Sequence, residues 1–179
     1  MAWTAPRTWT DGELVTKAIM DPHIRDNFLA VGPHLIARKT ADQAVVGSTT
    51  LVNDTHLSAS VAANEHWHYT LYLLYDAPTT GDLKVGFTFP TGRAVSTASH
   101  WSAAGAIDLQ SIDSGASATT LAAGGFGGNA AGSRLILVMN VIFVNGGGSG
   151  TFQLQWAQNA ASGTTNMFTD STLWGVKLA

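Results

Sequence analysis

From about residue 41 onward, apolar and polar positions alternate in twos. His66–Tyr75 shows this best: Trp67, Tyr69, Leu71, Leu73 and Tyr75 fall on one side, and His66, His68, Thr70 and Tyr72 on the other. Successive side chains of a strand point to opposite faces, so this run predicts a strand with one face in a core. Leu83–Phe89 repeats the pattern through Leu83, Val85, Phe87 and Phe89. Thr151–Gln158 turns Phe152, Leu154 and Trp156 inward and Gln153, Gln155 and Gln158 outward. Arg134–Val144 is apolar at both parities, which predicts a central strand buried on both faces. Gln43–Val52 and His56–Ala62 flank Asn53-Asp54, a predicted hairpin turn. Arg93–Trp101 and Thr172–Leu178 add two weaker strands. Turn residues recur between the runs, at Pro78–Gly81, Pro90-Thr-Gly92 and Gly146–Gly150. The stretch 103–132 is poor in large apolar residues and predicts loops with one or two short strands. Short strands at this spacing, about eight to ten of them, predict an all-β fold: an antiparallel, jelly-roll-like sandwich over residues 41–179.

The first 40 residues carry no such alternation. Residues 1–15 hold Trp3, Pro6 and Trp9 without a helical or strand period and predict an extended N-terminal arm. Two Trp on an isolated arm are costly to leave in water, so the arm is expected to lie on its own domain or on a neighbour. A short helix is predicted over 16–32. Thr16 can open a first turn, and Asp21-Pro22 is a favourable start, since Asp accepts from free N–H groups and Pro has none to lose. Ile24, Phe28 and Leu29 share one face, and Gly32-Pro33 stops the helix. Residues 33–40, with Arg38 and Lys39, predict a linker.

Composition narrows the function. Glycine, alanine, serine and threonine make up 79 of the 179 residues, and charged residues are 12%, about half the usual share. The absence of cysteine removes disulfides, thiol nucleophiles and Cys-based metal sites. A net charge of −3 with scattered basic residues argues against nucleic-acid binding, which needs clustered Lys and Arg. The opening residues lack the apolar core of a secretory leader, so none is expected. The longest apolar runs, Leu135–Met139 and Val141–Val144, fall far short of the roughly 20 residues that span a bilayer. No membrane partner is expected, and the sequon Asn53-Asp-Thr55 is given no weight.

Candidate chemistry is sparse. His66 and His68 point to one side of a predicted strand with Glu65 adjacent, the residue types that hold zinc, but no third ligand stands at a defined spacing. A solvated or interface face is the expected role of this strand. Asp108, Ser111, Asp113 and Ser114 do not follow a calcium-loop spacing. The glycine-rich runs 124–128 and 146–150 lack the phosphate-loop pattern and are expected to be turns or places where a side chain would obstruct. No nucleophile elbow is present, and the only two Glu are Glu13 and Glu65. A non-enzyme without metal or cofactor is therefore expected. Trp67, Tyr72, Trp101 and Trp174 raise a sugar-stacking alternative, against core and subunit-contact roles.

One part of the chain is distinctive. Trp9, Gly12, Val15, Thr16, Met20, Ile24, Arg25, Asp26 and Asn27 resemble the W-x-x-G-x-x-V-T…I-R-D-N opening of structural proteins of tailed bacteriophages, head decoration or minor tail proteins. The runs from Thr40 to Asp54 and from Leu154 to Asn159 are similar to parts of the same proteins. Asp21-Pro22 stands where that family more usually has Asn-Thr, and the His-rich strand belongs to no such pattern. The resemblance covers the first 60 residues well and the last 30 loosely.

It implies a virion structural protein, most simply a capsid decoration (cement) protein on the outside of the head, assembled in the bacterial host cytoplasm. The cysteine-free composition fits that reducing compartment. Trp3, Trp9, Ile24, Arg25, Asp26 and Asn27 are then the expected assembly contacts, with the major capsid protein or another virion protein as partner. An arm reaches about 3.3 Å per residue and makes an effective bridge between subunits. A homotrimer is expected, with the uncharged face of Gln153, Gln155 and Gln158 as its contact. The alternative is a small tail or fibre protein whose β domain binds a host surface glycan.

Overall fold

The computed structural model describes residues 4–5, 7–27, 34–101, 107–115, 120–130 and 132–178. It falls into two compact units, Met1–His34 and Leu35–Ala179.

In the first unit, residues 7–16 are irregular apart from a turn in which Glu13 N–H bonds the Thr10 carbonyl at 3.0 Å. Helix α1, Lys17–Met20, continues into a π-turn at Asp21–Arg25. Thr16 is its N-cap residue, so the helix opens one turn before Asp21-Pro22, and Pro22 sits inside it. Proline cannot bond the carbonyl four residues back. The wider π-turn accommodates it, with Asp26 N–H reaching the Asp21 carbonyl five residues back. Lys17 and Arg25 both pair with Asp21 at helical spacing. The predicted helix end at 28–32 lies outside the described residues.

The second unit is an all-β sandwich. Its strands are β1 (His34–Arg38), β2 (Gln43–Val46), β3 (Val52–Val61), β4 (His66–Asp76), β5 (Leu83–Thr88), β6 (Gly92–Trp101), β7 (Ile107–Asp113), β8 (Thr120–Phe126), β9 (Leu135–Asn145), β10 (Gly150–Gln158), β11 (Thr164–Met167) and β12 (Thr172–Lys177). One sheet runs β1-β12-β4-β9-β6-β7, with β11 joining β2 to the end of β4; the other runs β3-β10-β5-β8. Without the β6–β7 hairpin the two orders are β1-β12-β4-β9 and β3-β10-β5-β8, the eight-strand interleaving of a jelly roll. The hairpin between β5 and β8 widens the first sheet by pairing β6 with β9.

The alternation read from the sequence is the core. Tyr69, Leu71, Leu73 and Tyr75 of β4 are fully buried, as are Leu137, Met139, Val141 and Phe143 of β9. They meet Val85, Phe87, Phe152, Leu154 and Trp156 of the second sheet. Phe152 is the centre: its ring lies 4.6 Å from Tyr69, 5.0 Å from Phe87 and 5.3 Å from Phe143. Offset and tilted ring pairs add to plain burial, so both sheets are locked through one side chain.

Five expectations change. The 33–40 linker is strand β1, an edge of the large sheet, and Lys39 just beyond it is fully buried. The 53–54 hairpin is absent. β3 runs straight through those residues, because Asp54 carries a buried charge that Lys39 neutralises at 2.8 Å rather than facing water in a turn. β2 ends at Val46 and pairs with β11. β9 is buried on one face only: Ile136, Ile142 and Val144 are exposed on the other, because among the described residues of this unit no second layer covers that side of the large sheet. Gln158, expected outward, is fully buried. Its amide bonds Ser48, Ser162 and Gly163 and pins two loops to the end of β10.

The glycine just past the end of β8 serves close approach. A Cβ on Gly128 would lie 2.3 Å from the Ala77 carbonyl oxygen and 2.5 Å from that of Pro78. The Gly128 N–H also bonds Asp82 at 3.1 Å. Gly128→Ala is expected to cost about 2–3 kcal/mol, since backbone on both sides must move. Chemical denaturation measures it, and a loss below about 0.5 kcal/mol would show the loop to be free to shift.

Candidate assembly surfaces

The two units offer different surfaces. In the first, the described residues 4–27 bury one side chain, that of Asn27. Trp9, Leu14, Val15, Met20 and Ile24 are exposed. Met20 and Ile24 stand four residues apart on one helical face. Arg7 lies over the Trp9 ring at 5.8 Å while pairing with Glu13. A segment that shows this much apolar surface and buries so little has no core of its own among its described residues.

The residues of the N-terminal pattern divide by role. Gly12 takes φ +78° as the third residue of the 10–13 turn, a conformation that favours glycine. Asn27 turns inward: its amide donates to the Thr4 carbonyl at 2.9 Å and accepts from the Thr4 N–H at 2.9 Å, tying the arm to the helix. It is therefore a brace inside the unit rather than an outward contact. Arg25 pairs with Asp26 at 2.7 Å and Asp21 at 3.2 Å. Trp9, Val15, Met20 and Ile24 are the pattern's exposed apolar side chains, and Trp3 lies outside the described residues.

The second surface is the outer face of the large sheet. Register places Val176, His68, Ile142, Val95 and Asp113 in one row across β12, β4, β9, β6 and β7. The next rows are Trp174, Thr70, Asn140, Thr97 and Ser111, then Thr172, Tyr72, Val138, Ser99 and Leu109. Tyr72, Leu109, Ile136, Ile142 and Val144 are exposed. The charges in these rows and beside them are Arg93 and Asp113, at one margin, and they pair with each other. The Arg93 guanidinium also holds the Asp113 carboxyl below its usual range. Solvated antiparallel sheets normally turn polar residues outward. The smaller sheet does so, with Ser58, Ser60, Gln153, Lys84 and Thr88.

The other sequence candidates resolve as structure. Glu65 is committed: its carboxylate pairs with Lys177 at 2.8 Å and accepts from Ala62 N–H at 2.8 Å and the Trp67 indole at 3.0 Å. Burial raises its pKa, but these donors outweigh it and hold the group at about 2. His66 and His68 thus lack a free carboxylate beside them, and among the described residues no three His, Asp or Glu gather as for a metal. Asp113 bonds Arg93 and the Gly115 N–H. Of the four aromatics considered for stacking, Trp67 packs on Tyr69 at 5.4 Å, while Tyr72 and Trp174 stand on adjacent strands of the outer face. The Trp101 side chain lies outside the described residues.

Glu65 makes an acid prediction. Its folded pKa lies below its ordinary 4.5, so its stabilisation is full above pH 4.5 and lost as pH falls toward 2. The loss should be on the order of 2–3 kcal/mol. Urea unfolding of the wild type and Glu65→Gln across pH 2–6 checks this: the variant should show the shallower pH dependence, and parallel curves would remove Glu65 as the cause.

No protein-family model matches the chain, and no curated protein matches it. Among solved structures it is similar to the CBM22-1 and GH10 modules of endo-1,4-beta-D-xylanase 10B from Clostridium thermocellum, complexed with xylohexaose. That match has 11% identity and a TM-score of 0.28, over 81% of this chain and 25% of that one. It is also similar to the structure of infectious bursal disease virus Gx strain, at 12% identity and TM-score 0.21, over 83% of this chain and 42% of that one. A third is the infectious bursal disease virus VP2 subviral particle, at 11% identity and TM-score 0.21, over 82% and 40%. The chain spans less than half the length of each.

Proposed function

We propose that this protein is a non-enzymatic structural component of a virion: a homotrimeric capsid decoration protein of a tailed bacteriophage. It binds the outside of the head through its N-terminal unit, with the major capsid protein or another shell protein as partner. The observation that carries this is the first unit itself, which exposes Trp9, Leu14, Val15, Met20 and Ile24 and, among the described residues of 4–27, buries only Asn27. Such a segment gains stability by docking, and its apolar anchors offset the entropy of ordering it. Trp9, Val15, Met20 and Ile24 also belong to the pattern that resembles phage structural proteins. Trp9 and Ile24 are the apolar contacts in this reading, Arg25 and Asp26 the polar rim, and Trp3 a further anchor at the arm's start. The test is a labelled image of the virion: copies on the head surface support decoration, and copies confined to the tail overturn it.

A second reading, a tail or fibre protein binding a host surface glycan, has one observation in its favour. Tyr72 and Trp174 stand on the same exposed face beside a Thr70–Asn140 hydrogen bond of 3.0 Å. Aromatic faces with neighbouring polar groups suit sugar rings. A glycan array on which Tyr72→Ala abolishes a wild-type signal supports it; an array without signal removes it.

A further inference from the structure

We infer that the outer face of the large sheet, β12-β4-β9-β6-β7, is where copies of this chain meet. The inference rests on the self-association reading above and names the surface, replacing the glutamine face, whose amides are spent inside the chain.

Three observations carry it. The first is an asymmetry between the two sheets. β10 alternates Phe152, Leu154 and Trp156 inward with Gln153 and Gln155 outward, as a solvated strand does. β9 alternates Leu137, Met139, Val141 and Phe143 inward with Ile136, Val138, Asn140, Ile142 and Val144 outward. Four of those five outward residues are aliphatic, which is costly on a strand facing water and natural on a strand facing protein. The second is size. These five strands, of 6, 11, 11, 10 and 7 residues, cover about 700 Å² at roughly 3.3 Å per residue and 4.8 Å between strands. A specific interface needs about 800 Å² per partner, so this face supplies most of one by itself.

The third is charge. Around the symmetry axis of a closed oligomer the residues nearest the axis face their own copies, and like charges there repel across a dry contact. The rows that would form the centre hold no Lys, Arg, Asp or Glu: Thr70, Asn140 and Thr97 lie in the middle row, with His68, Ile142 and Val95 on one side and Tyr72, Val138 and Ser99 on the other. Arg93 and Asp113 are neutralised in place at the margin. The aliphatic side chains of β9 and Leu109 of β7 favour a protein over a carbohydrate, which offers few apolar faces to saturate them.

The absence of cysteine makes the test direct. Native mass and sedimentation of the full chain at micromolar concentration should give a trimer. Ile142→Asp, at the centre of the face, should weaken association by roughly 30-fold or more, since a charge would be buried without a partner. Ser60→Asp on the polar sheet should leave it unchanged. Because a charge on β9 can also disturb folding, Leu109→Asp, at a strongly exposed edge position, serves as a second variant, with circular dichroism confirming the fold of each. Independently, a thiol at Thr97→Cys should react with a maleimide at least about 10-fold more slowly than one at Ser60→Cys, because it is covered. A wild type that is monomeric overturns the self-association reading and this surface with it. A wild-type oligomer that survives Ile142→Asp and Leu109→Asp, with Thr97→Cys as reactive as Ser60→Cys, overturns the surface alone. A wild-type monomer whose Thr97→Cys becomes protected only on adding a glycan assigns the face to sugar instead.

Discussion

Lys39→Met is expected to destabilise the β domain by about 3–5 kcal/mol. Lys39 and Asp54 are both fully buried, and the ammonium sits 2.8 Å from the carboxylate. The remaining donors of Lys39 are used as well: Nζ bonds Gln43 at 3.1 Å and Thr55 at 3.3 Å. The other carboxylate oxygen accepts from His56 and Leu57 N–H groups at 2.9 and 3.0 Å. The pair therefore joins the end of β1 to β3 across the two sheets, while the Lys39 backbone bonds Ser171 and Asp170 near β12. Removing the cation leaves a fully buried carboxylate without its partner, and that uncompensated charge accounts for most of the loss. A domain of ordinary stability holds only about 5–15 kcal/mol. Lys39→Met/Asp54→Asn should recover more than half of the loss, because the amide keeps an acceptor for the His56 and Leu57 N–H groups and carries no charge. Urea unfolding of the three proteins decides this. A single-variant loss below about 1 kcal/mol would mean that water reaches the pair.

That pair also marks where sequence reading stops. Lys39 looked like part of a linker and Asp54 like part of a turn, because each residue type is usually exposed when taken alone. Only the fold brings the two together, and nothing local to either announces a partner 15 residues away. The strands were legible where period 2 and burial agreed, as in β4, β5 and β10. They were not legible where short or polar: β1 was hidden by its charged end, and β11, Thr-Thr-Asn-Met, shows no alternation of large apolar residues. The error in β9 is of another kind. Apolar residues at both parities do report that both faces want covering, but the pattern cannot say whether the cover comes from the same chain. Gln158 fails in the opposite sense: an amide at an inward parity was read as surface, although four hydrogen-bonding positions make it an efficient plug for loop ends.

The candidate contacts divide the same way. Gly12 and Asn27 lie within the recognisable N-terminal pattern, yet one serves a turn and the other braces the arm, so a pattern mixes residues that shape a segment with residues it presents. The outer face of the large sheet lies in no pattern at all. It emerges only from register, when outward residues of five strands are laid side by side. Trp9 and Ile24 are apolar and exposed, which is why the proposed attachment uses them.

Deleting residues 1–15 is expected to abolish incorporation into virions while leaving the β domain folded. The described core residues begin at Ile36, so the deletion removes none of them, and the melting temperature should move by no more than about 2 °C. The deletion does remove Trp3 and Trp9, with Leu14 and Val15. A docked Trp buries about 150–250 Å², roughly 4–6 kcal/mol gross at 25 cal/mol per Å². Part of that goes to ordering the arm, and the remainder for two Trp still corresponds to a fall in affinity of about 100-fold or more. Trp9→Ala should give a partial loss. Asn27→Ala should give a smaller one, because it frees Thr4 of the arm from the helix without removing a docking contact and so acts only through the entropy of docking. Co-sedimentation of each variant with particles lacking the wild-type protein measures the series. Full binding by the deletion variant would put the attachment elsewhere in the chain, whereas loss of binding together with a collapsed melting temperature would show the arm to be part of the fold.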